Sequence, residues 1–152
     1  MSDPISFAST SPRFALPLLF AGQAQKEFFV NEAHCRTDML LHPAVIGEAN
    51  APPANPNEGD CWLVGDNPAG AWAGHGDNLA CFQSGNWLFA APRAGLTIFD
   101  QTAGQIRRYV GGWQAANSVA APVGGTVVDV QARSAVAGLV AALIAGGVLP
   151  ST

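Results

Sequence analysis

Four carboxylates, Glu58, Asp60, Asp66 and Asp77, share the segment Pro52–Gly95 with Trp62, Trp72 and Trp87. Two carboxylates facing across an aromatic-lined cleft, roughly 5 to 9.5 Å apart, are the equipment of glycoside hydrolysis. Spacing along a chain does not define such a pair, and Asp or Glu beside glycine commonly serves a turn. A second constellation lies upstream, where Glu27, Asn31, His34 and Asp38 recur at i, i+4, i+7 and i+11 and so share one face of a helix. These are metal-ligand types, but a polar helical stripe is more commonly solvated or hydrogen-bonded to a neighbour. Asn31 suits a register device in an oligomer, as buried asparagines do in coiled coils. His34 and Cys35, with Cys61 or Cys81, have the residue types of a thiol enzyme, yet no nucleophile motif flanks any cysteine. Three cysteines at these spacings fit neither a disulfide framework nor a paired zinc site, and they read as buried thiols of a protein made in a reducing compartment. The expectation is a non-enzyme with no catalytic residue, no metal and no cofactor.

Aromatic contact is the remaining chemistry. Tryptophans on strands are mostly core, so Trp62 and Trp113 are assigned there. Trp72 sits in the glycine-flanked loop GAWAGHGDN, where close backbone approach and an exposed ring are both feasible. His75, Asp77 and Asn78 in that loop supply polar groups that suit sugar hydroxyls or a partner protein. Trp72, His75, Asp77, Asn78 and Trp87 are therefore the candidate ligand-binding residues. The plainer alternative is a turn in which Asp77 and Asn78 cap their own backbone.

Composition narrows the partners. The chain has 152 residues, about one domain, with 49% hydrophobic and only 12% charged residues. The charged share is about half the ~25% usual in soluble domains. Net charge is −4, with Lys26 as the lone lysine and six scattered arginines, which leaves no basic stripe for phosphates. Nucleic acid is excluded on that ground. The start, MSDPISFASTSPRF, lacks the charged and apolar regions of a secretory signal. The longest apolar run, Ala135–Pro150, is shorter than the roughly 18 residues of a membrane span and is interrupted by Gly138, Gly146 and Gly147.

The elements that position these residues follow from local pattern. Residues 1–20, rich in Ser, Pro and Phe, predict an extended arm whose aromatics dock on another surface, a second subunit being one candidate anchor. Gln23–Leu41 has no Gly or Pro and is closed by His42-Pro43, which predicts a helix. Its apolar residues form two stripes, Ala24, Phe28, Cys35, Met39 and Phe29, Ala33, Leu40. Short strands are expected at Cys61–Gly65, Asn78–Phe82, Asn86–Ala90, Leu96–Asp100 and Gln105–Val110. Leu79–Phe82, a Gln-Ser-Gly-Asn turn and Trp87–Phe89 form a hairpin. Ile106–Tyr109, a Val-Gly-Gly turn and Trp113 repeat that design. Asp129 caps a final helix to about Ala145, ended by Gly146-Gly147 and Pro150. From Val130 to Leu149 its polar side chains are Gln131, Arg133 and Ser134 alone, and a helix apolar all round requires burial all round. The chain is therefore expected to form an obligate oligomer, with Phe28, Asn31, Cys35, Val136, Leu139, Val140 and Leu143 at the interface.

A resemblance covers Ser11 to about Ala115. Ser11-Pro12-Arg13, Leu16-Pro17, Gln23-Ala24-Gln25-Lys26, Asn31-Glu32-Ala33, Pro52-Pro53, Glu58-Gly59-Asp60, Gly70-Ala71-Trp72-Ala73-Gly74, Gly85-Asn86-Trp87 and Pro92-Arg93-Ala94-Gly95 occur in order. Together they resemble an uncharacterised domain family found in tail-fibre, head-spike and related structural proteins of bacteriophages and gene transfer agents, chiefly of alphaproteobacteria. The resemblance implies a virion component, assembled in the bacterial cytoplasm, trimeric as fibres often are, that attaches to other virion proteins or to host-surface polysaccharide. It brings no catalytic residues. A stand-alone carbohydrate-binding module and a polysaccharide-degrading spike enzyme are the competing readings.

The expected fold class is α+β. It comprises an N-terminal arm (1–20), an oligomerisation helix (21–46), a small antiparallel β-module of short hairpins (47–116), a linker (117–128) and an apolar C-terminal helix (129–152).

Overall fold

A computed structural model describes residues 10–13, 16, 18–19, 26–125 and 129–150; the side chains of Glu27 and Phe28 lie outside the described set. Helix α1 spans Lys26–Leu41 and α2 spans Val130–Ala145. Between them run β1 (Ala44–Val45), β2 (Glu48–Ala49), β3 (Cys61–Val64), β4 (Leu79–Gln83), β5 (Asn86–Ala90), β6 (Thr97–Asp100), β7 (Gln105–Tyr109) and β8 (Trp113–Ala115), with one 3-10 turn at Gly70–Trp72. The fold is α+β, as expected. The β-rich segment, expected as one module, divides between two compact units, Met1–Pro43 with Glu48–Ala91 and Ala44–Gly47 with Pro92–Thr152.

In the first unit the sheet order is β2-β3-β4-β5, with β2 parallel to β3 and the rest antiparallel. The β4–β5 hairpin closes through Ser84 and Gly85, both at positive φ (51° and 74°), the two-residue turn whose twist matches the strands. The Glu58 carboxylate accepts from both turn amides, Ser84 N at 2.7 Å and Gly85 N at 3.2 Å. Strand alternation gives this sheet two different faces. Trp62, Val64, Ala80, Phe82, Trp87 and Phe89 share one; Cys61, Leu63, Leu79, Cys81, Gln83 and Leu88 share the other.

Helix α1 is tied to the first sheet and to the arm. Arg36 Nη1 donates to Phe89 O at 2.7 Å, and Gln83 Nε2 meets Cys35 Sγ. The Asn31 amide closes a two-point clamp on the backbone of Leu19, accepting from its N–H at 2.8 Å and donating to its carbonyl at 3.1 Å. Asp38, 1% exposed, accepts from Arg13 N at 3.0 Å, while Arg13 Nη1 and Nη2 donate to the carbonyls of Met39 and His42. These contacts give the arm and the helix stripe partners within the chain. The described arm residues dock on their own helix, and two members of the stripe expected to be solvated or interchain, Asn31 and Asp38, receive them. The physical reason is that the arm carries backbone groups in need of partners, and polar side chains about two turns apart on one helix face can satisfy several of them.

In the second unit the order is β1-β6-β7-β8, again with one parallel edge, β1 on β6. Asp100, 1% exposed, is paired with Arg107 at 2.7 Å and accepts from Ala103 N at 3.0 Å. Arg108, the next residue, is exposed, as strand alternation puts adjacent side chains on opposite faces. The Asp129 carboxylate caps α2 by accepting from Ala132 N at 2.8 Å. Past its end, Gly147 turns at φ +69°, its carbonyl accepts from Ile106 N at 2.6 Å, and Leu149 is buried. Thus the C-terminal turn of α2 is fixed to β7, but no residue of the helix itself is buried.

Candidate functional site

The aromatic face of the first sheet gathers most of the candidate binding residues. Its centre is Val64, Trp72 and Ala80, all buried, with Ala49, Trp62, Trp87 and Phe89 packed around them. The Trp72 and Trp87 rings meet edge to face, 5.0 Å between centroids at 89°, and Phe82 leans on Trp87 at 5.1 Å. Such pairs favour this geometry because the positive ring edge meets the negative face. The 3-10 turn at Gly70–Trp72 drives the Trp72 ring onto the sheet, so that it is 0% exposed.

Burial of Trp72 corrects the expectation of an exposed ring in the GAWAGHGDN loop. Flanking glycines signalled a tight turn, and the turn is there, but it folds the ring inward over the sheet instead of presenting it. Trp72 is thus a keystone of the site and not a contact surface. Trp87 is half-buried and retains an accessible part of its ring.

Around this core the loop presents a small polar rim. The His75 ring stacks on Phe89 with centroids 3.7 Å apart and planes 1° from parallel. Its Nδ1 lies 3.4 Å from Asn78 Nδ2, and the Asn78 backbone N–H donates to His75 O. Asp77 takes a left-handed conformation, φ 65°, and its N–H donates to Val64 O. So the structure brings Trp72, His75, Asn78 and Trp87 into one cluster, adds Phe82, Phe89 and Trp62, and holds Asp77 and Asn78 in the turn through their backbone N–H groups. Phe82 and Phe89 were missed as site residues; the signal was present in their alternation with Cys81 and Leu88 along β4 and β5.

Beside Trp87 a cavity of about 490 Å³ is lined by Glu32, Cys35, Gln83, Ser84, Asn86, Trp87 and Leu88. Its one ionic side chain, Glu32, is paired with Arg36 at 2.8 Å on the same helix. Elsewhere, Glu58 and Asp60 spend their carboxylates on turns, Glu58 on the β4–β5 hairpin and Asp60 on the N–H of Asn57 at 2.8 Å. Among the described residues no cluster of three or more His, Cys, Asp or Glu has the geometry to hold a metal ion. Burial pushes the Cys35 thiol above its ordinary range.

The expected oligomer residues divide in two. Asn31 and Cys35 find partners within the chain, in Leu19 and Gln83, and Phe28 lies among the side chains outside the described set. Val136, Leu139 and Leu143 are exposed, Leu139 by 65%, and Val140 is half-buried. A groove of about 560 Å³ runs along this helix, walled on its other side by Val119, Ala120, Ala121 and Pro122. On α1, Phe29 near its start is 80% exposed, and Leu40 and Leu41 at its end are exposed as well.

A pair of four-stranded sheets, each with a parallel edge strand and an aromatic hairpin, defines a small α+β protein whose most developed surface is aromatic. The chain belongs to a family described as a protein of unknown function (DUF2793), whose model matches residues 30–114. The match takes in most of α1 and β1 to β7, ends within β8 and stops before α2. Neither a curated protein nor a solved structure matches the chain. No helix among the described residues is long and apolar enough to cross a membrane.

Proposed function

We propose that this chain is a non-enzymatic structural component of a phage or phage-like particle, a fibre, spike or decoration protein. It assembles as a homo-oligomer through its apolar helices and offers the aromatic head of the first unit to another virion protein or to host-surface glycan. The observation that carries this reading is α2, 16 residues long with none buried. Its one charged side chain, Arg133, is turned back onto the carbonyls of Pro122 and Gly124. Beyond Ser134 what faces outward is apolar, and surfaces of that kind mark interfaces. Because no charge on this helix selects for an oppositely charged partner, further copies of the same helix suit it best, and three is the number the fibre resemblance favours.

The test is size in solution. Light scattering on the purified chain should give a trimer, and Leu139→Glu combined with Leu143→Glu should reduce it to monomer; a wild-type monomer at micromolar concentration would defeat the reading. Imaging of purified particles with a label on this chain then tests the virion assignment, and unlabelled particles would overturn it.

One observation favours a second reading, a carbohydrate-binding module: Trp87 is only half-buried and lines a cavity together with the amide side chains of Gln83 and Asn86. Tryptophan faces and amide groups together are suited to stacking on sugar rings and bonding their hydroxyls. Glycan-array signal lost in Trp87→Ala, with the oligomer intact, is the expected result if glycan is the ligand. Signal that persists in this variant would remove Trp87 from the contact surface.

A further inference from the structure

Cys61 and Cys81 are separated by 20 residues in sequence, yet β3 and β4 set them in direct register. Phe82 N donates to Asp60 O at 2.8 Å and Val64 N to Asn78 O at 2.9 Å, which marks the facing pairs one step before and three steps after the cysteines as hydrogen-bonded ones. By the alternation of an antiparallel ladder, Cys61 and Cys81 occupy a non-hydrogen-bonded pair, where facing Cα atoms lie about 4.5 Å apart and side chains come closest. That separation lies within the range of about 4.4 to 6.8 Å that a disulfide spans. The two Sγ atoms are 2.6 Å apart, and the residues are 5% and 1% exposed. We propose that Cys61 and Cys81 are an oxidisable dithiol that closes to a cross-strand disulfide, stapling shut the loop 65–78 that carries Trp72.

The surroundings set the order of events. The shared proton of the pair, with the Arg13 guanidinium 3.9 Å from Cys61 Sγ, holds Cys61 below the ordinary thiol value, whereas the same contact and burial push Cys81 up. Cys61 therefore supplies the thiolate, which is the nucleophilic form. A small hydroperoxide is the oxidant that suits sulfurs so little exposed. The Cys61 thiolate attacks a peroxide oxygen; the S–O bond forms, the O–O bond breaks, and the departing oxygen leaves as water after taking a proton. Cys81 sulfur then attacks the Cys61 sulfenic acid, giving up its proton; the S–S bond forms, the S–O bond breaks and a second water leaves. In total two thiols lose two electrons and two protons, and one hydrogen peroxide becomes two waters. Cys35 faces Gln83 and keeps its thiol.

The full chain, treated with hydrogen peroxide and then unfolded and alkylated, tests this directly. Intact mass should show two of three thiols protected, peptide mapping should join Cys61 to Cys81, and a phosphine reductant should reverse both. The thermal midpoint of the oxidised form should exceed that of the reduced form by about 5–10 °C, since the cross-link constrains the unfolded loop. The Cys35→Ser variant should behave identically, which keeps the test independent of any folding defect in a Cys61 or Cys81 variant. Three alkylated thiols under conditions that oxidise a model dithiol, or a cross-link that includes Cys35, would overturn the proposal.

Discussion

In the first unit β3, β4 and β5 form a meander with β2 laid parallel on its leading strand; in the second, β6, β7 and β8 form a meander with β1 laid parallel on its leading strand. Each ends in a hairpin whose facing aromatics touch, Phe82 with Trp87 at 5.1 Å and Tyr109 with Trp113 at 5.3 Å. The connection between the first two meander strands is what differs. It runs from 65 to 78 in the first unit and from 101 to 104 in the second. The longer connection returns Trp72 to cover an aromatic face. The shorter one has nothing to return, so Phe99 and Ile106, facing neighbours on β6 and β7, remain 38% and 40% exposed. Buried polar groups take a larger share in the second unit, where Asp100 and Arg107 are paired beside Ile98. Shared wiring therefore supports two chemistries: a capped aromatic core, and a polar-buttressed sheet whose other face keeps apolar side chains exposed.

The sharpest way to break this comparison is Trp72→Ala. Removing a fully buried indole should cost about 3–5 kcal/mol in chemical denaturation. Hydrogen-exchange protection should collapse across β3, β4 and β5 while β6 and β7 keep theirs; equal loss in both sheets would mean that the cap is not private to the first. Asp100→Ala is the matching lesion in the second unit. It leaves Arg107 without its carboxylate in a mostly buried place, and about 3 kcal/mol of destabilisation is expected, with the protection loss centred on β6 and β7. An effect under about 0.5 kcal/mol would show that the pair does not support the sheet.

Asn31→Ala tests how the arm belongs to the first unit. Losing a two-point clamp on Leu19 should cost about 1–2 kcal/mol and speed proteolytic cleavage near that residue, and unchanged cleavage would break the assignment. Gly147→Ala is the gentlest probe. The residue sits at φ +69° and an added Cβ would meet the Phe99 ring at 3.4 Å, so a loss of about 1 kcal/mol is expected, read in the thermal midpoint. A stabilised variant would mean that the turn after α2 is not held against β6.

Local signals carried much of the fold. The Ser84-Gly85 turn, the capped start of α2 at Asp129 and the glycines that end it were legible because each depends on a few neighbouring residues. The second hairpin, from Ile106 to Trp113, was legible for the same reason. The candidate site was legible in membership but not in posture. His75, Asn78 and Trp87 were found from residue type, whereas the burial of Trp72 depends on a sheet built from strands on both sides of its loop. Asn31 was recognised as a polar residue in need of a partner, and the partner proved to be Leu19 of the same chain.

By itself, the sequence determined where the chain turns, which strands pair as hairpins and that α2 has almost nothing polar to show to water, because turn chemistry and periodicity are local. Only the tertiary structure decided that β1 and β2 divide between two sheets, that Trp72 points inward and that Cys61 faces Cys81. Those outcomes rest on strand register and on contacts between distant segments, and a one-residue slip of β3 against β4 would part the two sulfurs without altering a single local signal.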